Sequence, residues 1–191
     1  GIEPAGAAGV LDALAATAVA LTQGASPEHI QRALDAYQVE GHRGAVVHSG
    51  GGVDWVDNSK ATNPHAADSA LTGAGPVVWV AGGQLKGASV DAVVKAHAKQ
   101  FRAVALLGVD RELIRTSLAQ VVPEVPVFVS DAQDPEQAMD EVVAWAATQA
   151  QPGDTVLLAP AAASLDMFSG MSARGDAFAA AAMRHWNPHN K

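Results

Sequence analysis

The chain has 191 residues, of which 49% are hydrophobic and 17% are charged, a composition typical of one soluble globular domain or of one domain with part of another. Its net charge of −8 argues against nucleic acid or a membrane surface as the main partner, and the absence of cysteine excludes disulfides and cysteine metal sites. No apolar run reaches the ~18 residues of a membrane span, and the N-terminal GIEPAGAAG lacks the layout of a signal peptide. The cytoplasm is therefore the expected location.

The first 37 residues predict two helices. Apolar residues recur at helical spacing from Val10 to Leu21, and Gly24 ends this first helix. Ser26 as N-cap and Pro27 at the first helical position begin the second helix. The face of the second helix that is expected to be buried contains Ile30, Ala33, Leu34 and Tyr37. Because two helices cannot form a core alone, they are expected to pack on another surface.

The pattern changes after residues 38–44, QVEGHRG, which read as a linker or hinge. Two short apolar runs around three glycines at 50–52 then predict a β-hairpin. Beyond the hairpin, predicted strands alternate with predicted helices, and several strands are continuous apolar runs, as expected for strands buried on both faces. This alternation predicts a Rossmann-like, doubly wound α/β fold with a mostly parallel sheet and an N-terminal β-hairpin.

Polar segments follow three of the predicted strands: NSKATN at 58–63, GGQLKGAS at 82–89 and APAAASLDMFSG at 159–170. In such sheets, ligands bind at the carboxyl ends of the strands. Lys60, Thr62 and the helix N-terminus that follows form a candidate anion site, although Asn63 is equally explained as a helix cap. Lys86 is placed to reach a carboxylate or phosphate, and the alternative is an exposed lysine in a glycine-rich loop.

Further candidates carry their own alternatives. Ser164 is placed to donate to a carboxylate, and Asp166 to cap local backbone or to orient a base. Arg174 is expected to support that loop rather than to contact a ligand. Arg43, in the linker, either pairs with a nucleotide or is a surface arginine. The chain contains neither a Walker A loop nor a G-x-G-x-x-G fingerprint, and no histidine, aspartate or glutamate grouping has metal-ligand spacing.

Together these segments resemble the C-terminal part of the Mur ligases, and within that family the members that add D-glutamate. The resemblance covers the whole chain and rests on HRGAVV, VDNSKATNPHAA, GGQLKGAS and QPGDTVLLAPAAASLDMFSGMSARGDAF. The family has a UDP-sugar domain, a central ATPase domain with a P-loop, and a Rossmann-like domain for the incoming amino acid. The resemblance implies that residues 1–40 are the last two helices of the central domain and residues 41–191 the amino-acid domain. Such a fragment is not expected to catalyse alone.

The resemblance also implies roles for eight residues. The two carboxylates of D-glutamate would be held by Thr62, Lys86 and Ser164, with the backbone near Leu165 and Met171. Lys60 would be catalytic, close to the nucleotide phosphates and the glutamate pocket. Arg43 and Asn58 would contact ATP around its ribose and base.

Two positions depart from the family pattern. The family usually has aspartate where this chain has Asn58, which weakens the ribose assignment unless the preceding Asp57 compensates. It often has phenylalanine where Met171 stands, a change that a backbone contact would survive and an aromatic wall would not.

The implied reaction belongs to peptidoglycan precursor synthesis. ATP phosphorylates the carboxylate of UDP-N-acetylmuramoyl-L-alanine, and the amine of D-glutamate attacks the acyl phosphate. ATP and Mg²⁺ would be bound mainly by the central domain, no metal site is expected in this chain, and the protein is expected to be a monomer. The alternatives are a related Mur or folylpolyglutamate-type ligase for another amino acid, and a non-catalytic nucleotide-binding α/β module.

Overall fold

The computed structural model describes residues 7–37 and 41–186. The first part contains two helices, α1 (Ala7–Thr22) and α2 (Pro27–Ala36). Gly24 lies between them with φ +81°, a conformation that favours glycine. The Ser26 hydroxyl accepts the His29 N–H at 3.3 Å, so the predicted helix stop and N-cap are confirmed. No helix within these described ranges is long and apolar enough to cross a membrane.

The helix pair presents much of its apolar surface to solvent. In α1, Leu11 is 66% exposed and Leu14 is 60% exposed. Helix α2 has no buried residue, so the face predicted to be buried, from Ile30 to Tyr37, is not buried in this chain. The physical reason is that within the described residues α1 and α2 pack on each other, and no other element makes more than marginal contact with them. Residues 38–40 of the predicted linker lie outside the described residues.

One six-stranded sheet forms the centre of the second part. Its strands are β1 (Ala45–Gly50), β2 (Val53–Asp57), β3 (Val77–Gly82), β4 (Phe101–Leu107), β5 (Val127–Val129) and β6 (Thr155–Leu158). Strands β1 and β2 form the predicted antiparallel hairpin, and its turn residues Gly51 and Gly52 both have positive φ. The strand order is β1-β2-β6-β3-β4-β5, and every neighbouring pair after the hairpin is parallel. The predicted α/β fold with a mostly parallel sheet is confirmed.

Five helices accompany the sheet: α3 (Pro64–Leu71), α4 (Asp91–His97), α5 (Arg111–Val121), α6 (Pro135–Gln149) and α7 (Met171–His185). Two of them begin with an N-cap residue followed by a proline at the first helical position. Asn63 accepts the Ala66 N–H at 2.9 Å before α3, and Asp134 accepts the Gln137 N–H at 2.8 Å before α6. These caps satisfy N–H groups that have no partner inside the helix.

The core consists of two apolar layers, one on each face of the sheet. Val78 and Val80 of β3 point into a layer that also contains Trp55 and Phe178, whereas Trp79 points into the opposite layer. All of these residues are fully buried. Both faces of the central strands are therefore covered, which explains why their sequences are continuous apolar runs. Because both faces of the central strands are closed to solvent, a ligand can approach these strands at their ends.

Candidate functional site

Three loops meet at the carboxyl ends of β2, β6 and β3, which are neighbours in the sheet. The Asn58 N–H donates to the Leu158 carbonyl at 2.9 Å and ties the loop after β2 to the end of β6. Gln84 and Ala163 form an isolated antiparallel bridge, which ties the loop after β3 to the loop after β6. The three polar segments singled out in the sequence therefore lie side by side at the carboxyl ends of the strands, the carboxyl-end edge of the sheet, as parallel strands require.

Arg174, on α7, connects all three loops while being only 1% exposed. Its Nε donates to the Ser59 hydroxyl and its Nη2 to the Ser59 carbonyl, both at 3.0 Å. Its Nη1 donates to the carbonyls of Gly82 (3.3 Å) and Ala162 (3.1 Å). Burial lowers the pKa of Arg174 to about 10, which leaves it charged at neutral pH. The expectation that Arg174 supports the loops is confirmed.

Glycines allow these loops to approach each other closely. Gly82 and Gly83 have φ of +123° and +128°, a region that side-chain-bearing residues rarely adopt. An added Cβ at Gly82 would overlap the Leu107 carbonyl oxygen, and one at Gly83 would overlap the Ala163 carbonyl oxygen. The close approach at this glycine pair is therefore to backbone of the protein itself, at the end of β4 and in the loop after β6.

The residues predicted to hold carboxylates lie on the loops at this edge. Lys86 is exposed and has φ +53°, and Thr62 is half-buried. Ser164 is 4% exposed. An ammonium group and two hydroxyls are thus carried by loops at the same edge of the sheet.

The two remaining predicted glutamate contacts lie beside the start of α7. Leu165 is 66% exposed, and Met171 is the first residue of the helix. The N-cap is Gly170, whose lack of a side chain leaves the first N–H groups of α7 without a side-chain acceptor. The Met171 carbonyl accepts the Ser59 hydroxyl at 2.7 Å, which ties the start of α7 to the loop after β2.

The residues predicted to contact ATP lie on the first loop and the linker. Arg43 is exposed, and Asn58 is half-buried. Asp57 cannot replace an aspartate at the next position, because its two carboxylate oxygens bind His42 Nδ1 at 2.6 Å and the Ser59 N–H at 2.9 Å. The suggestion that Asp57 compensates is therefore wrong: this carboxylate is buried and engaged within the protein.

A cavity of about 340 Å³ opens next to the three loops, towards the ends of β4 and β5. Asp166 lines it and accepts the Val109 N–H at 2.9 Å, so it binds backbone of the loop after β4 rather than the local backbone that was predicted. None of the eight predicted ligand residues lines this cavity. In the part of the chain that the structure describes, no three histidine, aspartate or glutamate side chains are grouped to hold a metal ion.

Residues 42–162 match the family model described as Mur ligase, glutamate ligase domain. This chain belongs to the Mur ligase family. A Corynebacterium diphtheriae protein named UDP-N-acetylmuramoylalanine--D-glutamate ligase is 56% identical over 97% of this chain and 39% of its own length. Proteins of the same name from Thermobifida fusca and Mycolicibacterium smegmatis are 53% and 44% identical over 89% and 93% of this chain, and over 36% and 42% of their own lengths. The chain thus spans about two fifths of the length of the curated relatives it matches.

Solved Mur ligases share the fold at low sequence identity. The UDP-N-acetylmuramate-alanine ligase MurC of Thermotoga maritima superposes with a TM-score of 0.67 at 14% identity, covering 96% of this chain and 39% of that one. MurF of Acinetobacter baumannii superposes with a TM-score of 0.62 at 18% identity, covering 94% of this chain and 38% of that one. At these identities the likeness shows a common Mur ligase fold and nothing about the bound amino acid.

Two contacts that hold the loops at the carboxyl ends of the strands could not be inferred from the sequence. The first is that Arg174 reaches Ser59 and Gly82, which lie about a hundred residues earlier in the chain. An arginine in an alanine-rich helix is a signal for such a contact, but three of its partners are backbone carbonyls, which have no sequence pattern. The second is the pair of His42 and Asp57, separated by 15 positions and joined only by the fold.

Proposed function

We propose that this chain is the amino-acid-binding part of an ATP-dependent ligase that joins D-glutamate to UDP-N-acetylmuramoyl-L-alanine. Family membership and the names of relatives with up to 56% identity support this function. The observation that carries the proposal is the common edge on which Arg174 gathers the loops of Lys60, Lys86 and Ser164. A small dicarboxylate requires positive charge and donors from several directions, and this edge offers both.

D-glutamate would bind through both of its carboxylates. Lys86 supplies a cation, Thr62 and Ser164 supply hydroxyl donors, and the N–H groups near Leu165 and Met171 supply backbone donors. Each charge-assisted hydrogen bond contributes about 1.5–3 kcal/mol. In a chain with a net charge of −8, these local donors decide whether a dianion binds. The loops at the carboxyl ends of the strands would hold the amine of D-glutamate in line with the acyl phosphate, which is the entropic part of catalysis.

The nucleotide would approach from the linker side of the same edge. Lys60 would act near the transferred phosphoryl group, while Arg43 and Asn58 would contact the ribose and base of ATP. Mg²⁺ would offset phosphate charge and would be bound mainly by the central domain. The chain's own contribution is to present D-glutamate and Lys60 to an acyl phosphate formed elsewhere in the protein.

The two parts of the chain would then belong to different domains. Residues 1–40 would complete the central ATPase domain, which would cover the exposed apolar face of α1 and α2. Residues 41–191 would form the amino-acid domain and close over ATP about the linker at 38–44. On this proposal the chain alone is inactive, and the full-length protein works as a monomer in the cytoplasm.

Steady-state kinetics of the full-length protein test the glutamate pocket. Lys86→Ala and Thr62→Ala are expected to raise KM for D-glutamate about tenfold or more and to leave KM for ATP nearly unchanged, because each removes a donor to the carboxylates. Lys99→Ala, which removes an exposed lysine from the connection between α4 and β4, is the matched control. Unchanged glutamate kinetics in both pocket variants would remove the basis for the proposal.

Substrate competition separates this function from that of a related ligase. The full-length protein is expected to accept D-glutamate and to discriminate against L-lysine, whose side-chain ammonium would meet Lys86 where a carboxylate is required. Product formation with each amino acid at equal concentration measures the preference. A preference for L-lysine would assign the chain to another branch of the family.

A further inference from the structure

His42 lies where the linker enters the α/β domain, and its ring is held by a buried carboxylate. The ring Nδ1 is 2.6 Å from Oδ2 of Asp57, whose side chain is 2% exposed. An ionised carboxylate can only accept, so the Nδ1–H of His42 donates. The ring Nε2 faces Asp176 at 3.9 Å, and that side chain is 78% exposed. His42 is thus fixed mainly from its Nδ1 side.

The same histidine contacts the backbone N–H groups of two consecutive residues, that of Ser59 through Asp57 and that of Lys60 directly. The other carboxylate oxygen of Asp57, Oδ1, accepts the Ser59 N–H at 2.9 Å. The main-chain carbonyl of His42 accepts the Lys60 N–H at 3.0 Å. Ring and carbonyl therefore act on two consecutive residues, the second of which carries the ammonium group proposed to be catalytic.

Helix α7 contains a glycine that fits this contact. Gly175 lies in the helix interior, where glycine is less favourable than alanine. An added Cβ at Gly175 would overlap both His42 Nδ1 and Asp57 Oδ2. Only glycine at this position leaves room for the pair of His42 and Asp57.

We propose that His42 is a positioning residue for Lys60. It acts through the ring contact with Asp57 and through its own carbonyl, and it holds the Lys60 loop from the linker side while Arg174 holds it from α7. This role rests on the proposed function and deepens it, because it makes the placement of Lys60 depend on the segment that enters the domain. A misplacement of about 1 Å at a reacting group typically costs on the order of 100-fold in rate.

Two substitutions at position 42 of the full-length protein separate the ring from the backbone. The φ of His42 is +69°, which glycine adopts without strain and asparagine better than most residues. His42→Gly is expected to lower kcat/KM for D-glutamate about 10- to 100-fold. The loss is expected in the kcat or KM of the folded enzyme, not in the fraction of enzyme that is folded. His42→Asn keeps an N–H donor near the Nδ1 position and is expected to recover activity to within about threefold.

Gly175→Ala supplies an independent route to the same contact. Added to His42→Gly, it is expected to cause little further loss, because both substitutions break one pair, so their effects are not additive. His185→Asn, which removes a histidine that pairs with Asp140 at the far end of α7, is the control and is expected to leave the kinetics unchanged.

Several outcomes would overturn the proposal. They are an unchanged kcat and KM in His42→Gly, a loss explained entirely by a smaller folded fraction, or multiplicative losses in the double variant. If His42→Gly fails to fold, His42→Asn and His42→Gln decide, since glutamine places its amide near Nε2 instead; equal activity of these two would refute the role. A normal Lys86→Ala variant would instead indicate that the proposed function itself has failed.

Discussion

The helix pair at 7–37 and the α/β domain at 41–186 are both rich in apolar residues, yet they differ in what those residues contact. In the α/β domain, Trp55, Trp79 and Phe178 are fully buried between sheet and helices. In the helix pair, Leu11 and Leu14 face solvent. The difference shows that an apolar stripe stabilises a helix only when a partner surface covers it. The α/β domain contains its own partners, and the helix pair does not.

The largest effect is expected from removing Arg174, which joins the three loops of the α/β domain. Arg174→Met is expected to lower the free energy of unfolding by about 3–5 kcal/mol, because it leaves buried carbonyls of three loops without a donor. Chemical denaturation of the chain measures the loss. Arg115→Met, which removes an exposed arginine paired with Glu112, should change stability by less than about 0.5 kcal/mol. Equal effects of the two substitutions would show that the domain does not depend on its buried arginine.

A smaller effect is expected from crowding the same edge. Gly83→Ala is expected to cost roughly 2–4 kcal/mol, since it adds a clash with the Ala163 carbonyl to the strain of a positive φ. Gly87→Ala is the matched control, because Gly87 also has positive φ (+80°) but has nothing within 4 Å of an added Cβ. Its cost should be about 1 kcal/mol of backbone strain alone. Thermal melting of both variants compares the two; a Gly83→Ala variant no weaker than Gly87→Ala would argue against a tight edge.

The smallest effect is expected in the helix pair, where it also tests the domain assignment. Replacing Leu11 and Leu14 by lysine, which has a similar helix propensity, should change the stability of this chain by less than about 0.5 kcal/mol, because both side chains are already exposed. In the full-length protein the same pair should cost about 2 kcal/mol or more per residue if the central domain buries them. Equal and negligible effects in both proteins would contradict the assignment of the helix pair to the central domain.

The sequence predicted the fold well because its signals were local and mutually consistent. The run Val77–Gly82 reads as a strand buried on both faces, and Asn63 acts as the N-cap that the pattern indicated. Periodicity identified the apolar face of α2 but not what covers it, and within this chain that face is without buried residues, as expected for helices whose partner surface lies elsewhere.

The candidate site was predictable only in part. Strand ends identify the loops that carry Lys60, Lys86 and Ser164, since parallel strands place their carboxyl ends at one edge. The partners of Asp57 were not predictable, because the choice between binding a ribose and binding His42 depends on side-chain direction within a folded loop. The roles of the ligand residues stay predictions until the kinetic variants are measured.

By itself the sequence determined the order of strands and helices, the polar loops after β2, β3 and β6, and the membership of the Mur ligase family. The tertiary structure alone decided how those loops are joined. The guanidinium of Arg174 bonds carbonyls of Ser59, Gly82 and Ala162, and a backbone carbonyl has the same chemistry at every residue. No residue pattern can therefore specify which carbonyls meet a buried arginine; only the packing of α7 against the sheet edge selects them.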